Sequence, residues 1–266
     1  MAILNVTPDS FADGGLYFDT AKAVARGVEM FAQGALVVDV GGESTRPGAT
    51  TVGVDEELRR VIPVITALKK AAPRGLISID SSKPEVMRQA VAAGAGMIND
   101  VNALQAPGAL AVAAELNVPV CLMHCQGTPG TMQNAPAYSD VVAEVKEFLQ
   151  QRVEACVACG IPRTHLWIDP GFGFGKSVEH NLQLLARLTT LRSLGLRLLV
   201  GISRKSMLGA LLKTRVDQRV IASVVAAVMA VTEGADMVRV HDVEETVQAF
   251  KVFSAVTKYS EVKSGE

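Results

Sequence analysis

Short apolar, β-branched runs recur along the chain at 2–6, 35–40, 76–80, 96–100, 118–124, 166–169, 196–202 and 237–241. Between them lie segments whose apolar residues return every three to four positions, roughly 19–33, 54–72, 84–93, 108–116, 139–159, 178–194, 216–233 and 243–258. The runs are those of buried strands and the spacing between them that of amphipathic helices. Strand and helix alternating eight times predict an α/β fold closed as a (β/α)8 barrel rather than an open sheet. Several helices stop at a glycine just before the next strand, as at Gly34, Gly94, Gly160 and Gly234, where a left-handed residue ends a helix. No linker, low-complexity tract or charge run divides the chain, so residues 1–266 are read as one domain.

Composition narrows the partners. With 49% hydrophobic and 20% charged residues the chain is large enough for a full core, and Lys+Arg 26 against Asp+Glu 27 leaves a net charge of -1. No bulk field attracts nucleic acid or an acidic membrane, so basic residues that matter act locally. No apolar run reaches the roughly 18 residues of a membrane span, and no basic region with an apolar signal core opens the chain. A soluble, cytoplasmic protein is expected. Cys121 with Cys125 and Cys156 with Cys159 imitate a zinc site, but Cys121 sits inside a strand-like run and the second pair near the end of a long helix. Reduced structural thiols are the plainer reading.

In such a barrel the site forms at the C-terminal ends of the strands, and polar residues gather at all eight. They are Asn5, the run from Gly41 to Gly48 with Glu43 and Arg46, Asp80 to Lys83, Asn99-Asp100, Met123-His124, Asp169, Ser203 to Ser206, and Arg239 with His241. A lone strand-end Asp or Asn commonly caps the next helix; eight polar ends argue for one shared pocket. Gly175-Lys176-Ser177 resembles the tail of a P-loop, but the spacing needs glycine at 170, where Pro170 removes a cradle donor. Asp169 followed by Gly171, Gly173 and Gly175 reads instead as a ligand-facing carboxylate beside a loop that approaches closely.

Asp80 and Asp169 suit the paired N–H donors of a planar heterocycle, and Asn99 suits its mixed edge. Arg46, Arg204, Lys205 and Arg239, with His241 beside them, suit a di- or polyphosphate. The first loop, Thr7 to Gly15, carries acids, Phe11 and glycine hinges, and reads as a lid. The segment opening at Ser203 starts a helix whose N–H groups can take a carboxylate.

Taken together, Asn5-Val6-Thr7-Pro8-Asp9-Ser10-Phe11-Ala12-Asp13-Gly14-Gly15, Asp39-Val40-Gly41-Gly42-Glu43-Ser44-Thr45-Arg46-Pro47-Gly48, Asp169-Pro170-Gly171-Phe172-Gly173-Phe174-Gly175-Lys176, Ser203-Arg204-Lys205-Ser206 and Arg239-Val240-His241-Asp242 resemble the dihydropteroate synthase family from residue 1 to about 250. The resemblance implies a TIM barrel that joins 6-hydroxymethyl-7,8-dihydropterin pyrophosphate to p-aminobenzoate, releasing pyrophosphate and giving 7,8-dihydropteroate in folate biosynthesis. Carried over, Asp80, Asn99, Met123, Asp169, Phe174 and Lys205 would hold the pterin, and Asn5, Thr45, Arg46, Arg239 and His241 the pyrophosphate. Phe11, Pro47 and Ser206 would form the p-aminobenzoate pocket, and Asn5 with Asp13 would hold Mg²⁺. Asp80, Lys205, Arg239 and His241 would carry catalysis. A homodimer and competition by sulfonamides are further family expectations, although the sequence displays no interface stripe.

Departures from the family pattern are Ser81 where Thr is usual and Cys125 where Met is usual. The chain also begins without the strands that usually precede the first motif, which bears on stability. A pterin-dependent methyltransferase would need the pterin residues but not the anion site, and a mere pterin-binding module would need no lid.

Overall fold

The protein's structure, a computed structural model, describes residues 1–7, 16–44, 51–127, 132 and 136–261. Phe11, Asp13, Thr45, Arg46 and Pro47 lie outside the described residues, as does most of the expected lid. The strands are β1 (Ala2–Asn5), β2 (Val37–Gly41), β3 (Leu76–Asp80), β4 (Met97–Asp100), β5 (Val120–Met123), β6 (Leu166–Asp169), β7 (Arg197–Val200) and β8 (Met237–Val238). They pair in parallel in chain order. A bridge between Ala2 and Val240 brings the last strand back to the first, with Ile3 N donating to Val240 O at 3.0 Å and Val240 N to Met1 O at 3.0 Å.

The helices are α1 (Leu16–Ala32), α2 (Val54–Ala71), α3 (Pro84–Ala92), α4 (Ala109–Leu116), α5 (Val141–Ala158), α6 (Val178–Ala186), α7 (Ser206–Leu212), α8 (Val220–Thr232) and α9 (Val243–Glu261). Gly34 and Gly94 do end α1 and α3 with φ of 105° and 117°.

Strand periodicity sorts the core into two parts. Even-numbered positions of β1 and β2 and their counterparts, among them Leu4, Val38, Val40, Ile77, Ile79, Ile98, Leu122 and Ile168, face the helices in one large cluster. The alternate positions of each strand face inward. Met1, Val37, Met97, Cys121, Trp167 and Leu199 fill one layer of the barrel interior, and one step along the strands the interior turns polar. Register then places Asn5 opposite Gly41, Gly41 opposite Asp80, and Asp80 opposite Asn99. The strand alternation thus places the first polar layer of the site.

Three predicted elements differ. The segment 178–194 is not one helix: α6 stops at Ala186 and Leu188–Leu194 is a 3-10 helix. Its buried residues Leu188, Leu191 and Leu194 recur every third position, the period of a 3-10 turn rather than of an α-helix. The segment 216–233 opens as a 3-10 turn, and the expected helical start near Ser203 becomes the separate α7, so nine α-helices rather than eight occur among the described residues. Finally, β8 proper ends at Val238 rather than His241; Arg239 N still donates to Val200 O at 2.9 Å and Val240 bridges Ala2, and the ladder stops at His241, whose amide turns to the Ser203 hydroxyl at 3.2 Å.

Candidate active site

The centre of the barrel mouth is a chain of charged groups. Asp39, buried in the middle of β2, accepts from Asn99 Nδ2 at 2.9 Å and from Arg239 Nε at 2.6 Å through the same oxygen. Arg239 Nη2 continues to Asp80 Oδ2 at 2.6 Å. The other Asp39 oxygen has no hydrogen-bond partner among the described residues. Burial pushes the Asp80 carboxyl up to about 7 against the pull of Arg239, with Asp39 adding to the rise, while the two carboxylates raise the Arg239 guanidinium further above its ordinary value despite its own burial. Asp39 was not among the expected site residues. Its signal was present, a charge at an inward position of Val37-Val38-Asp39-Val40.

Asn5 and Asp80 stand on either side of Gly41. A Cβ there would lie 3.6 Å from both Asn5 Oδ1 and Asp80 Oδ2, so glycine keeps open a space lined by oxygen donors. That donor set fits a hard cation such as Mg²⁺, which takes few protein oxygens and completes its shell with water and phosphate. Among the described residues no group of three His, Cys, Asp or Glu side chains is gathered for a metal.

Across the mouth, Asp169 is buried and accepts from Gly171 N at 2.7 Å. Burial raises its carboxyl to about 6, although Gly171 and the nearby Lys205, Arg239 and Lys176 oppose the rise. Gly171 has φ of 69°, and a Cβ there would overlap the His124 carbonyl, so only glycine lets the loop press onto the end of β5. Gly201 beyond β7 lies beside the same carboxylate without such crowding: a Cβ there would lie 3.7 Å from Asp169 Oδ2 and 4.0 Å from Arg239 Cβ, ordinary contact distances. Lys205 Nζ lies over the Phe174 ring, 4.1 Å from its centroid, and burial, helped by Arg239, lowers its pKa to about 8. Met123, Met132 and Phe174 form an apolar cluster here, with Val101 and Cys125 against it.

His241 stands at the rim with Nδ1 3.1 Å from Ser203 Oγ, and burial and Arg239 hold it neutral, its pKa near 4. Ser206 is exposed at the start of α7.

Several polar strand ends do not enter this pocket. Arg204, grouped above with the anion-binding cations, pairs through Nε and Nη2 with both oxygens of Asp242. Glu43 accepts from Val52 N at 2.9 Å and pairs with Lys83 Nζ at 2.5 Å, which also meets the buried Glu57 at 2.5 Å. Asp100 accepts from Ser82 Oγ at 2.5 Å and from the amides of Asn102 and Leu104, both at 2.8 Å, and so shapes a loop. Lys176, the P-loop imitator, donates from the interior to His124 Nδ1 at 2.8 Å, Gly171 O at 2.9 Å and Phe174 O at 3.0 Å, and is no phosphate ligand. The cysteines are free and scattered from the barrel interior, where Cys121 lies, to the exposed end of α5, where Cys159 lies.

Known proteins resemble this chain along nearly its whole length. The profile of the family described as pterin binding enzyme matches residues 1–241. The dihydropteroate synthase of Escherichia coli (strain K12) is 51% identical over 266 residues, covering 100% of this chain and 94% of its own. Solved structures of Xanthomonas albilineans dihydropteroate synthase with 4-aminobenzoic acid and with 7,8-dihydropteroate match with TM-scores of 0.91 and 0.88 at 54% and 51% identity, covering 97% of this chain and 92% of theirs. A Yersinia pestis dihydropteroate synthase in a sulfonamide drug complex matches with a TM-score of 0.91 at 50% identity, over 97% of this chain and 94% of that one.

Proposed function

Because the chain belongs to the dihydropteroate synthases of the pterin-binding enzyme family, we propose that its barrel mouth condenses 6-hydroxymethyl-7,8-dihydropterin pyrophosphate with p-aminobenzoate, and that the residues described above divide the two substrates between them. The observation that supports the division is the meeting of two chemistries in one mouth: Asp169, Asn99 and the Phe174–Lys205 pair suit a planar heterocycle, while Arg239, which shares the Asp39 oxygen with Asn99, and His241 suit an anion.

Asp169 and Asn99 meet the N–H-bearing edge of the pterin, and Lys205 its carbonyl side, while Met123 and Phe174 supply the apolar floor. Arg239 and His241, with Asn5, Thr45 and Arg46, take the pyrophosphate. Phe11, Pro47 and Ser206 receive p-aminobenzoate. Asn5, joined by Asp13, holds Mg²⁺, which neutralises negative charge on the phosphate oxygens when bound.

The C–O bond between the pterin methylene and pyrophosphate breaks first, and its electron pair leaves with the pyrophosphate. Arg239 and His241 stabilise that charge, and Asp80 stabilises the methylene cation left behind. The aryl nitrogen then forms the C–N bond and loses a proton to solvent or departing pyrophosphate. Asp80, released from Arg239 as the guanidinium turns to phosphate, becomes the stronger counter-charge. Sulfonamides compete with p-aminobenzoate at the Ser206 end; the sulfonamide drug complex of the Yersinia pestis relative supports the competition.

The protein acts in the cytoplasm, consistent with four free cysteines and no helix of the described residues long and apolar enough to cross a membrane. It pairs as a homodimer through α8 and α9. Ile221, Val225 and Met229 on α8 are 80%, 53% and 50% exposed, an apolar stripe at intervals of four, and Val252, Val256 and Tyr259 continue it on α9. Ile221→Glu with Met229→Glu yields a monomer by light scattering; an unchanged mass rejects this face.

Purified protein releases pyrophosphate when given both substrates and Mg²⁺. No release under those conditions sinks the assignment of activity.

A further inference from the structure

Arg204 occupies a left-handed backbone, φ 56°, between Ser203 and Lys205. A residue with a side chain stays there only where its surroundings impose it. Its amide donates to Ser223 Oγ at 2.8 Å, and that hydroxyl donates to Arg219 O at 2.7 Å. Its carbonyl accepts from Arg219 Nη1 at 3.0 Å, a nitrogen that also lies 3.4 Å from Lys205 O. Its guanidinium pairs in two-pronged fashion with Asp242, whose side chain is 8% exposed. Arg219 reaches the turn because residue 209 on α7 is glycine: a Cβ there would fall inside the guanidinium.

The turn lies between the two halves of the mouth. Ser203 meets His241, and the next residue, Arg204, meets the next residue, Asp242, so two successive rungs tie the β7 exit to the β8 exit. Lys205 and Ser206 continue from one side of this ladder; Arg239 and His241 stand on the other. An exposed ion pair would contribute little, but this one is two-pronged, sits on a buried carboxylate and holds a strained turn.

We propose that Arg204 and Asp242 are positioning residues, a latch that aligns the Lys205–Ser206 half of the mouth with the Arg239–His241 half so that amine and methylene meet. The latch rests on the activity proposed above. It also removes Arg204 from the anion site: were Arg204 a phosphate ligand, freeing it from Asp242 would not weaken the enzyme.

The test compares Arg204→Ala, Arg204→Gly, Asp242→Ala and the double alanine variant in the full chain. In Arg204→Ala, kcat falls about 10-fold and KM for p-aminobenzoate rises by a similar factor. Asp242→Ala matches it, and the double variant is no worse than either single, because both remove one interaction. Arg204→Gly loses distinctly less than Arg204→Ala, since glycine takes the left-handed turn without strain. Independently of activity, acylation of the Lys205 amine, read by mass spectrometry, speeds up several-fold in each alanine variant. Asp242→Asn serves should Asp242→Ala fold poorly. Kinetic constants within twofold of the parent together with unchanged Lys205 labelling overturn the latch, as do losses that add in the double variant. If the parent releases no pyrophosphate, the proposed activity falls, while the labelling still decides whether Arg204 and Asp242 place Lys205.

Discussion

Lys176 and Lys205 stand at opposite ends of the same glycine-rich corner, and burial lowers both pKa values, to about 7 and about 8. Their surroundings differ. Lys176 directs its three donors at a histidine nitrogen and two carbonyls, which uses its capacity completely. Those carbonyls belong to Gly171 and Phe174, so the ammonium staples the loop beside Asp169 to the end of β5. Lys205 is held over an aromatic face, which attracts charge without consuming directed donors. One cation is committed to the fold and the other leaves its directed donors open to the ligand proposed for it. A depressed lysine pKa does not distinguish the two; the acceptors around the ammonium do.

The largest effect that separates them is on turnover. Lys205→Ala and Asp169→Asn each lower kcat/KM by about 100-fold, equivalent to about 2.7 kcal/mol of transition-state binding, through lost pterin affinity and with no loss of melting temperature. Near-normal pterin binding in either variant, measured by equilibrium dialysis, contradicts the assignment. The absence of a stability loss follows from the sign of the shifts. The raised Asp169 pKa means the folded state holds that proton more tightly than the unfolded chain, a contribution complete below about pH 4 and gone above about 6. The lowered Lys205 pKa contributes only above its unfolded value and is lost as pH falls through about 8. At neutral pH both charged groups therefore weigh against folding.

The same values set the pH profile of the free enzyme. On the proposed roles, activity needs Asp169 and Asp80 ionised and Lys205 protonated, so kcat/KM rises through about pH 6 to 7 and falls through about pH 8. In Asp169→Asn the residual activity keeps only the Asp80 limb, near pH 7. An acid limb that still begins near pH 6 assigns that step to another group.

Lys176→Met gives the converse pattern. Removing the staple leaves two carbonyls and His124 unpaired in the interior, costing about 2–3 kcal/mol of stability and, at roughly 2–4 °C per kcal/mol, a readily measured fall in melting temperature. Turnover falls less than in Lys205→Ala, mostly as a raised pterin KM from the loosened loop. A variant that melts like the parent but binds no pterin makes Lys176 a ligand group and erases the distinction.

This pair also marks how far the chain could be read before folding. Alternation of strand and helix gave the barrel, and position at the C-terminal ends of the strands placed Asp80, Asn99 and Asp169 at its mouth. What periodicity lacks is the identity of each side chain's partner. Arg204 and Lys205 are adjacent cations at one strand end, yet the left-handed turn sends one to Asp242 and the other to the Phe174 face. Asp39 escaped notice for the opposite reason, since its role comes from Arg239, two hundred residues away along the chain. Likewise the break in 178–194 came from a change of period, from α-helical spacing to every third residue, inside one apolar pattern.

The smallest effect concerns Cys125, which packs beside Met123, Met132 and Phe174 where the family usually has methionine. Burial raises its thiol pKa, so it is a packing atom rather than a nucleophile. Cys125→Met adds apolar atoms to a cluster of flexible and aromatic side chains that can absorb them, and lowers the pterin KM by about threefold at most, with kcat unchanged. Slow alkylation by iodoacetamide at neutral pH accompanies this in the parent. A change beyond tenfold, or rapid alkylation that pterin blocks, means the sulfur touches the ligand. The apolar floor that supports the Lys205–Phe174 contact would then itself be part of the recognition surface.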